Sequence, residues 1–151
     1  MIAQKISHWN LHYENESFSC EAPCSLYSVL LDYKKIDHPY EGLNEKAATV
    51  LSEKDCEMTA TVVLDAEALA KKHVDLVFYG LDTLCDVYVN GTHVLYAYNM
   101  HKSWRVDIGN VAVAGENTVR LHFYSPSEYI SRKNREHFLF SANVGYTLGG
   151  I

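Results

Sequence analysis

Phe78-Tyr79-Gly80-Leu81-Asp82-Thr83 opens the stretch whose reading decides the fold, and Phe123-Tyr124-Ser125-Pro126 closes it. Between them Cys85, Val87 and Val89 alternate with Asp86 and Tyr88. Trp104, Val106 and Ile108 alternate with Arg105 and Asp107, and Val119, Leu121 and Phe123 with Arg120 and His122. Successive side chains of a strand point to opposite faces, so each alternation predicts a half-buried strand. The predicted core face carries Val87, Val89, Val106, Ile108, Val119, Leu121 and Phe123. Asn90-Gly91 predicts a tight hairpin turn, because both residues tolerate positive φ, and His93 to Tyr98 supplies the return strand. Gly115-Glu116-Asn117 predicts another turn. Short strands separated by turn residues in this way predict an all-β sandwich of about eight strands.

The flanking sequence extends this pattern. Residues 6–13 predict a first strand with Trp9, Leu11 and Tyr13 on one face, and Phe18 to Cys20 a second. Pro23 precedes Ser25-Leu26-Tyr27-Ser28-Val29-Leu30-Leu31-Asp32-Tyr33. Leu26, Val29, Leu30 and Tyr33 fall at helical spacing, and Ser25 can cap the free amides. A loop follows around His38-Pro39-Tyr40. Met58, Ala60, Val62 and Leu64 alternate with Thr59, Thr61 and Val63 as another strand, and Asp65 caps a brief helical turn through Ala70. Leu76 to Tyr79 is a continuous apolar run, which predicts a strand covered on both faces. Residues 1–126 thus form the expected sandwich domain. Residues 127–151 lose the alternation and predict a trailing segment. Its aromatics, Tyr129, Phe138, Phe140 and Tyr146, lack an obvious partner inside the sandwich. The segment is expected to fray, or to find a second copy and drive weak self-association.

With 151 residues the chain suits one domain and can bury a core without staples. Thirteen basic and nineteen acidic residues give a net charge of −6, with no basic stripe, which argues against nucleic acid as a partner. No long apolar segment could span a bilayer. The opening residues, Met1-Ile2-Ala3-Gln4-Lys5-Ile6-Ser7-His8, lack a signal-peptide core, so a cytoplasmic location is the expectation. Cys20, Cys24, Cys56 and Cys85 are then read as reduced thiols, since Cys20 and Cys24 have no second close pair to complete a zinc site. Asn15-Glu16-Ser17 and Asn90-Gly91-Thr92 match the glycosylation pattern and are read as chance matches.

As a connected string these pieces resemble the amino-terminal jelly-roll domain of glycoside hydrolase family 2, and its β-mannosidase branch in particular. The resemblance runs from about Trp9 to about Arg135. It rests on the opening Trp strand, the Pro-start helix rich in leucine, and the loop Asp37-His38-Pro39-Tyr40-Glu41-Gly42-Leu43-Asn44-Glu45. Gly80-Leu81-Asp82-Thr83, Val87-Tyr88-Val89-Asn90-Gly91 and Asn99-Met100 then follow in the family's order. Val50-Leu51 stands where the family has a Trp, and no Gly-Trp-Asp-Trp-Gly-Pro segment occurs before Ile151. The resemblance implies a galactose-binding-domain-like jelly roll with one or two short helices, belonging to a longer polypeptide. In that family the catalytic glutamates lie in a later barrel, and no barrel fits into 151 residues. The implied role is a non-catalytic accessory domain that packs on the barrel of a retaining exo-glycosidase, a β-mannosidase first, and helps shape its sugar pocket. The alternatives are an independent carbohydrate-binding module for β-mannosides or related glycans, and a plain interaction domain.

No catalytic residue, metal site or cofactor is expected in the chain itself. Asp82 and Asp86 invite comparison with the carboxylate pair of a retaining glycosidase, which stands about 5–5.5 Å apart. Asp82, however, follows Gly80 in a turn and is expected to satisfy local amides, and Asp86 lies on the polar face of its strand. His8 and His12, four apart, would pair on a helix but stand far apart on a strand. The carbohydrate-binding candidates are Asn44 and Glu45, as exposed loop polars, and Trp104, whose ring could stack on a sugar although its phase also suits the core. No nucleophile triad, phosphate loop or dinucleotide fingerprint is present.

Overall fold

The computed structural model of the chain describes residues 3–137. Its elements are β1 (His8–Tyr13), β2 (Glu16–Glu21), α1 (Leu26–Asp32), α2 (Asn44–Leu51), β3 (Cys56–Leu64), α3 (Ala66–Leu69), β4 (Asp75–Phe78), β5 (Cys85–Val89), β6 (Thr92–Ala97), β7 (Trp104–Asp107), β8 (Gly115–Phe123) and α4 (Pro126–His137). Six strands form one antiparallel sheet in the order β2-β1-β3-β8-β5-β6, and β4 and β7 form a small second sheet. This is the expected sandwich. No helix among the described residues is long and apolar enough to cross a membrane.

The large sheet presents a strict two-residue alternation to the core. Trp9, Leu11 and Tyr13 of β1, Met58, Ala60 and Val62 of β3, Val87 and Val89 of β5 and Val119, Leu121 and Phe123 of β8 are all buried. Leu76, Phe78 and Trp104 of the small sheet join the same cluster, as do Leu26, Val29 and Leu30 of α1. Each fully buried Leu or Val contributes about 1.5–3 kcal/mol relative to exposure, so one face of α1 suffices to hold a seven-residue helix that would not persist alone. Ser25 caps α1 by accepting from the Ser28 amide, while Ser28 Oγ accepts from the Ser25 amide, a reciprocal capping box. Asp65 caps α3 through the Ala68 amide at 2.6 Å.

Six of the seven predicted core side chains are buried; Val106 is half-buried against the core. Three expectations need correction. Residues 44–51 form helix α2, so Asn44 and Glu45, read from the sequence as loop polars, open a helix; only Ala48 of that helix is buried, so no apolar periodicity marks it. Tyr27 and Tyr13 instead tether it, donating through their hydroxyls to the Ala48 and Leu51 carbonyls. The apolar run of β4 is not covered on both faces: Leu76 and Phe78 are buried, Val77 is half-buried, and Tyr79 beyond it is 87% exposed. A two-stranded sheet lying on a six-stranded one has only one face to bury.

The third correction concerns Gly115-Glu116-Asn117, which opens β8 rather than making a separate turn. Gly115 takes φ +99, a conformation that suits glycine. Asn117 is 1% exposed and fully bonded. Its Oδ1 accepts from the Val113 amide at 2.7 Å and Asn90 Nδ2 at 2.8 Å, and its Nδ2 donates to the Val113 and Gly115 carbonyls. Buried amides require such partners, which is why one sits where this loop turns inward. Asn90, in the predicted β5–β6 hairpin at φ 50, also donates to the Val111 carbonyl and accepts from the Thr118 amide. Its side-chain nitrogen, the acceptor of the glycosylation pattern, is thereby engaged in two hydrogen bonds, although the residue is exposed.

The trailing segment begins as α4, so its first part is helical. Ser125 ties the entry to the sandwich, its amide donating to Asp55 at 2.7 Å and its hydroxyl to the Ser52 carbonyl at 2.7 Å. Tyr129 is 42% exposed. The expectations for Phe138, Phe140 and Tyr146 fall outside the described residues.

Candidate functional site

Asn44 and Glu45 stand in the first turn of α2, which the loop from Asp37 delivers. Asn44 Nδ2 donates to the His38 carbonyl at 3.1 Å and its amide to the Glu41 carbonyl at 3.2 Å, so the side chain braces its own loop. Glu45 is exposed, and a carboxylate there suits the positive end of the helix. Two apolar side chains of the same loop project into solvent, Tyr40 at 92% and Leu43 at 75% exposure.

Trp104 is 7% exposed and sits in the core. Its Nε1 donates to the Asn99 carbonyl at 3.2 Å, the Tyr98 ring meets it edge-on at 5.2 Å, and Lys102 Nζ lies 4.3 Å from its centroid. Trp104 therefore carries its neighbours rather than presenting a bare face. Phe78 pairs with Trp104 across the small sheet, and Gly80 lies against the Met100 carbonyl. Tyr79, Tyr98 and Met100, the last two 60% and 39% exposed, consequently gather at this end of the sandwich. The contacts of Asn44 stay within its loop and those of Trp104 within this corner.

The carboxylates singled out in the sequence are engaged locally. Asp82 accepts the Thr83 hydroxyl rather than an amide, across a cis peptide bond. Asp86 accepts from Tyr124 Oη at 2.5 Å and faces His93 Nε2 at 2.7 Å. That hydrogen bond, with burial and the Asp86 charge behind it, pushes the Tyr124 hydroxyl up to about 12. His8 faces Glu21, whereas His12 bonds Ser17 and Thr59, so the two histidines do not converge. Among the described residues no group of three or more His, Cys, Asp and Glu side chains is placed to hold a metal ion.

Sequence reasoning did not find the network on the outer face of the large sheet. Register sets Glu57 beside His122 and His122 beside Asp86, with Thr59, Arg120 and Tyr88 in the next row. Arg120 reaches Glu57 at 2.6 Å and stacks 3.9 Å from the Tyr88 centroid. His122 bridges Glu57 at 2.9 Å and Asp55 at 3.2 Å. Burial alone would raise Glu57, but the His122 hydrogen bond and the adjacent Arg120 together hold its carboxyl below the usual range. The only sequence signal was that all these residues occupy polar-face positions; which of them meet depends on strand order.

The chain matches the family described as glycosyl hydrolase 2 galactose-binding domain-like over residues 9–147. It is 37% identical over 102 residues to beta-mannosidase B of Emericella nidulans, covering 67% of this chain and 12% of that protein. It is 25% identical over 132 residues to the beta-mannosidase of Bos taurus, covering 86% of this chain and 15% of that one. The chain thus spans a small fraction of the length of these curated relatives. Among solved structures, beta-D-mannosidase from Dictyoglomus thermophilum superimposes with a TM-score of 0.83 at 21% identity, over 94% of this chain and 18% of that one. The exo-chitosanase of Amycolatopsis orientalis gives a TM-score of 0.71 at 17% identity, over 82% of this chain and 17% of its own. The matched residues and the sandwich that carries them make this chain a member of the galactose-binding-like domain family of glycosyl hydrolases 2.

Proposed function

We propose that the chain is the non-catalytic amino-terminal accessory domain of a retaining exo-glycosidase of β-mannosidase type. It packs on the catalytic barrel of the same polypeptide and helps shape the pocket that admits a terminal β-linked mannose. The observation that carries this reading is the end of the small sheet, where Tyr98 stands exposed against buried Trp104 and Tyr79 and Met100 stand exposed on the segments that flank the Phe78–Trp104 pair. An accessory domain separated from its partner leaves its docking face bare. Covering one such ring removes on the order of 150 Å² from water. The similarity to beta-mannosidases, each several times longer than this chain, supports the same reading.

An independent carbohydrate-binding module has less support. It needs an aromatic face open to a sugar ring, and Trp104 is buried beneath Lys102 and Tyr98. The test is the full reading frame that contains this chain, assayed on an aryl β-mannoside with and without residues 1–126. Loss of kcat/KM on deletion, and partial loss on Tyr79→Ser, is expected. Undiminished turnover without the domain would overturn the proposal. Tight binding of mannosides by the isolated chain would favour the module.

A further inference from the structure

Cys20 lies on β2, an edge strand of the large sheet, and Cys24 lies just before the Ser25 cap of α1. Their Sγ atoms are 3.7 Å apart, with the Cys24 thiol donating to Cys20 Sγ. Both are half-buried, unlike Cys56 and Cys85, which are buried in the core. Both line an open cleft of about 200 Å³ shared with Glu21, Pro23, Asp32 and Tyr33. A small solute can therefore approach them. All four cysteines are free thiols in this structure. A disulfide needs about 2.05 Å between sulfurs, so closing the 3.7 Å gap asks each sulfur to move roughly 0.8 Å, within reach of a side-chain rotation.

We propose that Cys20 and Cys24 form a dithiol site that closes to an intramolecular disulfide by exchange with a low-molecular-weight disulfide such as oxidised glutathione. Cys20 is the attacking sulfur, because the Cys24 hydrogen bond supports its thiolate. Its attack breaks the glutathione S–S bond, forms a mixed disulfide and releases one glutathione as thiol, which takes up the proton. Cys24 then attacks the Cys20 sulfur and expels the second glutathione. Two protein thiols are oxidised and one glutathione disulfide is reduced to two thiols. The bridge ties the edge strand to the start of α1. Burial raises both thiols, Cys24 to about 12, so the thiolate is scarce at neutral pH and the exchange is slow. Such a site records the redox poise of its compartment rather than sensing brief oxidant pulses. The inference stands independently of the glycosidase reading.

The test incubates the purified chain in mixtures of oxidised and reduced glutathione, blocks free thiols under denaturing conditions, and maps the products by mass spectrometry. The expected species has lost two hydrogen atoms, retains no glutathione and carries a Cys20–Cys24 link. Its formation rate should rise with pH between 7 and 9, following the thiolate fraction. Cys24→Ser should instead trap glutathione on Cys20, faster than Cys20→Ser traps it on Cys24. A wild-type chain that keeps all four thiols, holds a stable mixed disulfide, or links Cys56 or Cys85 instead would overturn the proposal. So would faster trapping in Cys20→Ser.

Discussion

Replacing Asn117 with alanine removes an amide that makes four hydrogen bonds while only 1% exposed. A typical intramolecular bond contributes about 0.5–1.5 kcal/mol net, and a buried group left unpaired costs more. Not all the orphaned partners stay dry, because Val113 is 52% exposed and Gly115 is exposed, so water can reach part of them. The expected loss is therefore about 2–4 kcal/mol rather than the full sum of four bonds. At about 1.4 kcal/mol per factor of ten, that is roughly a 30- to 700-fold change in the folding equilibrium. With a urea slope near 2 kcal/mol per molar, the midpoint should fall by about 1–2 M. Hydrogen exchange adds a local readout. The Val113 amide donates to Asn117 Oδ1 and should lose protection, while Val119 in the centre of β8 keeps more. A midpoint shift under about 0.3 M, with Val113 protection intact, would refute the assignment of Asn117 as the tie between this loop and the β5–β6 hairpin.

Leu121→Ala at a fully buried site should cost about 2–5 kcal/mol by urea unfolding, and a loss near zero would contradict the strand phase. The Glu57 carboxyl is held below its ordinary range, so its contribution to stability is present above the unfolded glutamate value and is lost as pH falls through the folded one. Glu57→Gln should accordingly flatten the acid limb of a stability–pH curve below about pH 5; an unchanged limb would sink this account. Tyr124 is shifted upward by Asp86, so its contribution is complete below the unfolded tyrosine value and is lost as pH rises towards about 12. In ultraviolet titration, Asp86→Asn should move one tyrosine, identified by its absence in Tyr124→Phe, back towards its ordinary range. The purified chain alone should not hydrolyse an aryl β-mannoside; turnover that survives removal of contaminating enzyme would contradict the accessory reading.

The strands were legible because burial of one sheet face imprints a two-residue period on the sequence. Trp9, Leu11 and Tyr13, or Val119, Leu121 and Phe123, announce both the element and its inner face. Capping and turn chemistry were legible for the same local reason: Ser25, Asp65 and Asn90-Gly91 act on backbone groups within a few residues of themselves. Helix α2 left no such imprint, since it fully buries only Ala48 and is tied to the sandwich by Tyr13 and Tyr27, which are distant in sequence. Asn117 reads as a turn residue until Asn90, twenty-seven positions away, is brought against it. The outer-face network and the approach of Cys20 to Cys24 also exist only once the strands are ordered and the chain has turned back on itself. Periodicity and caps are properties of neighbouring residues, and one chain carries them by itself. Which side chains meet across strands is set by register and packing, and only the tertiary structure decides it.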